Sequence, residues 1–166
     1  MKNIINFIKA SAVIGLLVGS FAYSYADKQG HIEIKSTVNV LKTVVVDGKK
    51  VQKILPAKKV LPNTMLLYTN TFTNISDVPA ENIKLINPIP KHTLYQTGSA
   101  QGKNTDITFS VDGGKHWAKP EALTVLDKDG NTIPATAKDY THIRWVYMKD
   151  LAPAEQQNVS FRAKLL

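Results

Sequence analysis

The stretch M-L-L-Y-T-N-T-F-T-N, Met65 to Asn74, decides the fold because it alternates apolar and polar side chains. Leu66, Tyr68 and Phe72 fall on one face of an extended chain, and three threonines fall on the other. Successive side chains of a β-strand point to opposite faces, so the alternation predicts a strand with one buried face. The threonine-rich face suits the exposed surface of a sheet.

Two further strands are predicted upstream of this stretch. Residues 31–40, H-I-E-I-K-S-T-V-N-V, place four β-branched apolar side chains on one face. Residues 43–54, T-V-V-V-D-G-K-K-V-Q-K-I, hold Asp47 and Gly48 between two apolar runs. Because an Asp-Gly pair readily adopts the positive φ angles of a two-residue turn, this segment predicts a β-hairpin.

Downstream, short alternating segments recur until the C-terminus. They predict strands near residues 82–90, 93–100, 106–111, 122–126, 140–148 and 158–165. No substantial helix is predicted in the mature chain. About eight or nine short strands separated by Gly, Pro, Asn and Asp predict an all-β, antiparallel β-sandwich, and closure into a barrel is the alternative that the pattern leaves open.

The first 26 residues have the features of a signal peptide. Lys2 and Lys9 precede an apolar run that ends in S-Y-A, with small residues where a signal peptidase cuts. We expect cleavage after Ala26; a retained membrane anchor is the alternative. The mature chain, residues 27–166, is expected to be exported and not membrane-spanning. It has no cysteine, so packing alone must stabilise it.

The mature chain is basic, and its charge indicates the kind of partner. The formal charge of the whole sequence is +8, almost entirely from lysine. The lysines read as scattered along the chain. Nucleic-acid binding is not expected, because it favours clustered arginine and lysine with stacking aromatic residues. An anionic cell-surface polymer or another envelope protein is the expected partner, and no cofactor is expected.

The order of segments from Tyr68 to Ala100 resembles a known family. It reads Y-T-N-T-F-T-N-I-S-D-V-P-A-E-N-I-K-L-I-N-P-I-P-K-H-T-L-Y-Q-T-G-S-A, and residues 107–117, 143–146 and 151–165 resemble the same family's closing strands. The resemblance is to the conserved repeat domain of bacterial and archaeal surface proteins, the domain of unknown function eleven. Asn87 stands where the family usually has Asp, and Ile75-Ser76 replaces a common Thr-Gly.

This resemblance implies an immunoglobulin-like β-sandwich with a structural or adhesive role. We therefore expect residues 63–166 to form the conserved-repeat-like core and residues 27–62 to form an N-terminal strand and hairpin that extend it. The expected function is that of a non-catalytic, exported protein of the bacterial envelope, either periplasmic or secreted, that acts through protein or polymer contacts.

A second resemblance concerns S-V-D-G-G-K-H-W, residues 110–117, which fits the Asp-box pattern S-x-D-x-G-x-x-W of sialidases and other secreted hydrolases. A sialidase also needs three arginines to hold a carboxylate, whereas this chain has two arginines in all. We therefore interpret the motif structurally: Asp112, Gly113 and Gly114 make a tight turn, and Trp117 covers the hairpin.

Two weaker sites give alternative functions. Exposed aromatic rings bind sugars, so Trp117, His116 and Tyr95 are candidates for a secreted glycan-binding accessory module. Asp127, Asp129 and Asn131, in D-K-D-G-N, are candidates for a calcium-stabilised surface module. An EF-hand is excluded, because loop position twelve holds Lys138 instead of the required Glu. A simple hairpin turn is the favoured interpretation of D-K-D-G-N.

Overall fold

The computed structural model describes residues 23–25, 31–58 and 60–166. The strands are β1 (Tyr23–Tyr25), β2 (Ile32–Val46), β3 (Lys49–Pro56), β4 (Met65–Asn74), β5 (Lys84–Pro88), β6 (Thr93–Tyr95), β7 (Gln101–Gly102), β8 (Thr105–Ser110), β9 (Thr124–Leu126), β10 (Thr132–Pro134), β11 (His142–Tyr147) and β12 (Gln156–Leu165). A single 3₁₀ turn, Pro120–Ala122, is the helical segment of the described residues. The predicted signal peptide lies outside the described residues except for β1.

The strands form two main sheets whose pairings are all antiparallel. One sheet has the order β3-β2-β4-β12-β6, with β7 also paired to β12, and the other has the order β1-β5-β11-β8. Strands β9 and β10 form a separate small hairpin. The predicted all-β, antiparallel sandwich is confirmed, and its arrangement is consistent with an immunoglobulin-like β-sandwich.

The described residues contain twelve strands, more than the eight or nine that the pattern predicts. The segment 93–100 does not form one strand, since β6 ends at Tyr95 and the chain pairs again only at β7. β10 and β1 are three-residue strands, too short to show a period. Short pairings of this kind depend on a neighbouring strand, so the sequence alone does not reveal them.

Large aromatic side chains fill the space between the two sheets. On the first sheet, Tyr68 of β4 and Phe161 of β12 are direct cross-strand partners, and their rings stack with centroids 4.8 Å apart. Trp145 of β11 approaches Phe161 from the second sheet, with ring centroids 6.3 Å apart. Trp145 is fully buried and Phe161 nearly so. Every second residue of β4 is buried as well.

A buried polar contact also joins the two sheets. The Nδ2 of Asn70, on β4, donates to the Oδ1 of Asn87, on β5, at 2.9 Å. The hydroxyl of Ser36 donates to Asn70 Oδ1, and Asn87 Nδ2 donates to the carbonyl of Pro88. Asn87 is fully buried, and a neutral amide can both accept and donate there without burying a charge. An amide therefore suits this position better than a carboxylate.

The long strand β2 joins the sandwich to a protruding hairpin. Its first part, Ile32–Leu41, pairs with β4, and its apolar face packs against the core. The pairing with β4 ends at Leu41, but β2 continues to Val46 beside β3. We call residues 42–56 the arm. Its two-stranded end extends past the last β4 pair by five residues, or about 17 Å.

Strand β1 lies in an unexpected place. Tyr23–Tyr25 pair with Lys84–Ile86 at the edge of β5, although these residues belong to the predicted signal peptide. Cleavage after Ala26 would remove β1 and leave that edge of β5 open. The observed pairing belongs to a chain that carries residues 23–25, and cleavage after Ala26 stays a prediction.

Candidate functional site

The tip of the arm is a tight turn. Asp47 has φ of 50° and Gly48 has φ of 73°, which are the angles of a two-residue hairpin turn with left-handed residues at both positions. Val46 and Lys49 face each other on either side of it. The turn therefore fixes the register of the arm, and with it the face on which each side chain lies.

The arm exposes apolar side chains on both of its faces. All eight residues of β3 are exposed. Cross-strand partners share a face, so the register places Val45 and Ile54 on one face and Val46, Val51 and Leu55 on the other. Val45 is 67% exposed and Ile54 59% exposed. A folded sheet normally covers at least one face, so the arm has the character of an interaction surface.

The arm and the residues that follow it also carry most of the excess positive charge. Residues 42–59 hold one aspartate, Asp47, and six lysines: Lys42, Lys49, Lys50, Lys53, Lys58 and Lys59. Residues 63–166 hold eleven lysines and arginines against ten acidic residues, and are nearly neutral. The lysines do not form one continuous tract, but the excess of positive charge lies in the arm and just after it, beside a nearly neutral sandwich.

The Asp-box residues form a closed turn after β8. The Oδ1 of Asp112 accepts hydrogen bonds from the backbone N–H groups of Lys115 and His116 and from the hydroxyl of Ser110. Gly113 and Gly114 have φ of 80° and 89°, angles that favour glycine. The N–H donated by His116, followed by the Ser110 hydroxyl, holds the pKa of Asp112 well below its usual range.

Trp117 lies on the outer face of the second sheet, where it covers the hairpin. The guanidinium carbon of Arg144 lies 4.7 Å from the centre of the Trp117 ring, and His142 contacts the ring edge-on. Arg144 is held in turn by a hydrogen bond from its Nε to the hydroxyl of Thr108. Burial lowers the pKa of Arg144, although Asp106 opposes that shift. One face of the Trp117 ring is therefore occupied by a side chain of the same protein.

The other two glycan candidates do not join Trp117 in one site. His116 is exposed and its Nδ1 lies 2.5 Å from Asp112 Oδ2, so it belongs to the turn. Tyr95 belongs to the other sheet and is only 3% exposed, and its hydroxyl accepts from the N–H of Ala100. Tyr95 helps to line a surface cavity of about 270 Å³ with other aromatic rings. No flat surface of exposed rings results from these three residues.

The calcium candidates form a turn between β9 and β10. Asp127 Oδ1 accepts from the backbone N–H groups of Asp129 and Asn131, and Asp127 Oδ2 accepts from Asn131 Nδ2. The N–H of Asn131 lowers the pKa of Asp127 most. The Asp127 carboxylate is therefore used by its own turn. In the part of the chain that the structure describes, no group of three His, Cys, Asp or Glu side chains could hold a metal ion.

Comparison with known proteins gives no relative: no family model, curated protein or solved structure matches the chain. The resemblance to the conserved repeat domain remains a prediction. Within the described residues, no helix has the length and apolar character needed to cross a bilayer. The valines and lysines of the arm are visible in the sequence. Their exposure is not, because it depends on the fact that the pairing of β2 with β4 ends at Leu41.

Proposed function

We propose that this protein is a non-catalytic, exported envelope protein whose sandwich supports a contact arm, residues 42–56, and that the arm binds an anionic partner. One observation carries the proposal: four lysines against one aspartate occur together with exposed apolar side chains on a hairpin that extends beyond the sandwich. The predicted signal peptide and the resemblance to surface-protein repeats support the same proposal.

The uneven distribution of charge makes the arm the place where an anionic partner first meets the protein. A nearly neutral sandwich with a basic extension attracts an anionic partner towards the extension, because electrostatic attraction steers encounters over about 8 Å at physiological salt. The exposed valines and isoleucine then add apolar contact area. Neither contribution requires a catalytic group, so the arrangement suits adhesion or assembly.

The proposal is tested with a soluble anionic polymer, poly-L-glutamate. The arm variant replaces Lys49, Lys50 and Lys53 with glutamine. These residues are exposed and lie outside the core, so the variant should fold normally. We expect its affinity for poly-L-glutamate at low salt to fall roughly tenfold or more, since lysines near an anionic surface contribute about 1 kcal/mol each.

A body variant with the same net charge provides the control. It replaces Lys91, Lys103 and Lys128, which are exposed on the sandwich, with glutamine. We expect its affinity to stay close to that of the unmodified protein. Equal losses in the two variants would mean that only net charge matters, and the arm would then have no special role in binding.

The export part of the proposal is tested separately. The mass of the protein recovered from the envelope should correspond to residues 27–166, with Asp27 as the first residue. Recovery with residues 1–26 attached would indicate a retained anchor instead and would contradict export as a free protein.

A further inference from the structure

We propose that the outer edge of β3 binds an acidic, extended segment of a partner protein as an added β-strand. This inference rests on the proposed function of the arm and specifies its partner. β3 is the last strand of the six-stranded sheet, and among the residues that the structure describes it pairs with β2 alone. Its other side presents backbone groups that a further strand can bind.

The register identifies the backbone groups that are free. Val46 and Lys49 flank a two-residue turn, so they form a hydrogen-bonded pair, and such pairs alternate along an antiparallel ladder. Lys50, Gln52 and Ile54 therefore direct their N–H and C=O groups away from β2. Pro56 is the next outward position, and because proline has no N–H the edge ends there.

The side chains of β3 indicate which residues a partner strand should carry. Along β3, lysines at 49, 50 and 53 are interspersed with Val51, Ile54 and Leu55. A strand paired alongside gains most when acidic residues lie opposite the lysines and apolar residues lie opposite the apolar positions. Read antiparallel to residues 55–49, the complementary sequence is V-V-E-T-V-E-E.

Three other occupants fit less well. Two copies paired through β3 would bring together three lysines from each without a carboxylate between them. An anionic polymer would neutralise the lysines but leave Val51 and Ile54 uncovered. The interior of a lipid bilayer would cover the apolar side chains but leave the backbone edge without hydrogen-bond partners. An acidic protein strand satisfies the backbone, the charges and the apolar side chains together.

The experiment uses the synthetic peptide V-V-E-T-V-E-E with capped ends. In one derivative the backbone nitrogens of its second, fourth and sixth residues, which face the free groups of β3, are methylated. In a matched derivative the third, fifth and seventh nitrogens are methylated instead. We expect the first derivative to bind at least about tenfold more weakly, because a single backbone hydrogen bond can be worth that factor. The second derivative should bind like the unmodified peptide.

A substitution in β3 tests the same hydrogen bonds by changing the protein instead of the peptide. Gln52→Pro removes an outward N–H without removing a bond to β2, whereas Gln52→Thr keeps it. We expect Gln52→Pro to weaken peptide binding about tenfold and to leave poly-L-glutamate binding unchanged. Amide hydrogen exchange provides an independent measurement, since bound peptide should newly protect Lys50, Gln52 and Ile54.

The outcomes separate this inference from the proposed function. If poly-L-glutamate binding depends on the arm lysines but neither methylation nor Gln52→Pro affects peptide binding, strand addition is wrong and the proposed function stands. If neither ligand depends on the arm lysines, both are wrong. Strand addition is also overturned if the protein forms dimers that Gln52→Pro abolishes, or if it binds phosphatidylcholine–phosphatidylglycerol vesicles through Ile54 but not the peptide.

Discussion

Strands β4 and β3 both contain apolar side chains among polar ones, but only β4 buries its apolar side chains. β4 lies between β2 and β12, and every second residue of it is buried against the other sheet. β3 lies at the edge of the same sheet, and all of its residues are exposed. An apolar pattern therefore predicts a strand, whereas burial depends on the neighbours that the fold supplies.

The largest loss of stability is expected from a substitution in the buried core. Phe161→Ala removes a ring that contacts Tyr68, Tyr95 and Trp145, and should lower the free energy of unfolding by about 3–5 kcal/mol. Urea denaturation followed by far-UV circular dichroism measures it. The matched change Ile54→Ala, on the exposed arm, should stay within about 0.5 kcal/mol. Similar losses for the two variants would mean that the arm is packed against the sandwich.

The buried polar contact should have the next largest effect. Asn87→Asp places a carboxyl where the present amide donates to Pro88, and should destabilise the protein by about 1–3 kcal/mol at pH 7. Burial raises the pKa of such a carboxyl above its unfolded value. The loss should therefore be present at neutral pH and diminish as the pH falls and the carboxyl is protonated. A constant loss between pH 3 and pH 7, measured by denaturation, would contradict this account.

A smaller effect is expected from the carboxylates of the surface turns. The pKa values of Asp112, Asp127, Asp139 and Glu155 are all lowered, chiefly by hydrogen bonds that each carboxylate accepts from residues two to four positions away. A lowered folded pKa contributes stability above the unfolded value, near 4, and that stability is lost as the pH falls through the folded pKa. The melting temperature should therefore be flat near neutral pH and fall below about pH 4.

Asp112→Asn tests this explanation, because it removes the charge but keeps an oxygen that can accept. The melting temperature of this variant should depend less on pH below 4 than that of the unmodified protein. Asp77→Asn, in an exposed loop, provides the control. If both variants give the unmodified acid profile, the turn at Asp112 does not contribute to the acid dependence.

The smallest effect on stability is expected on the arm. The variant with glutamine at 49, 50 and 53 should change the free energy of unfolding by less than about 0.5 kcal/mol, because exposed lysines outside any packed layer contribute little. Removing three like charges from one hairpin should if anything relieve repulsion. A loss of more than 1 kcal/mol in urea denaturation would show that the arm supports the fold.

The sequence predicted the sandwich and its antiparallel pairing well, because the alternation at β4 and β12 reports a face that is in fact buried. It also placed the turn at Asp47 and Gly48. It did not predict the arm, since Val44, Val45 and Val51 have the same apolar character whether or not β4 continues beside β2. That β4 pairs with β2 only from Met65 onward is a property of the tertiary fold.

The sequence also predicted the local turns of the candidate sites but not the contacts between distant segments. Gly113 and Gly114 indicate a turn, and the structure has one there, with Trp117 packed over it. The contact between Trp117 and Arg144 joins segments that are distant in sequence, so no local pattern reveals it. The excess of lysine over acidic residues in 42–59 is a property of the sequence, but only the fold shows that residues 42–53 extend past the end of β4.

An NMR titration of the isotope-labelled mature protein with poly-L-glutamate tests most directly whether the arm is the contact surface and the sandwich its support. We expect the amide shifts to change mainly within residues 42–56 and the core signals, including the indole of Trp145, to stay in place. Shift changes centred on the sandwich, near Lys91, Lys103 or Trp117, with the arm unaffected, would contradict it.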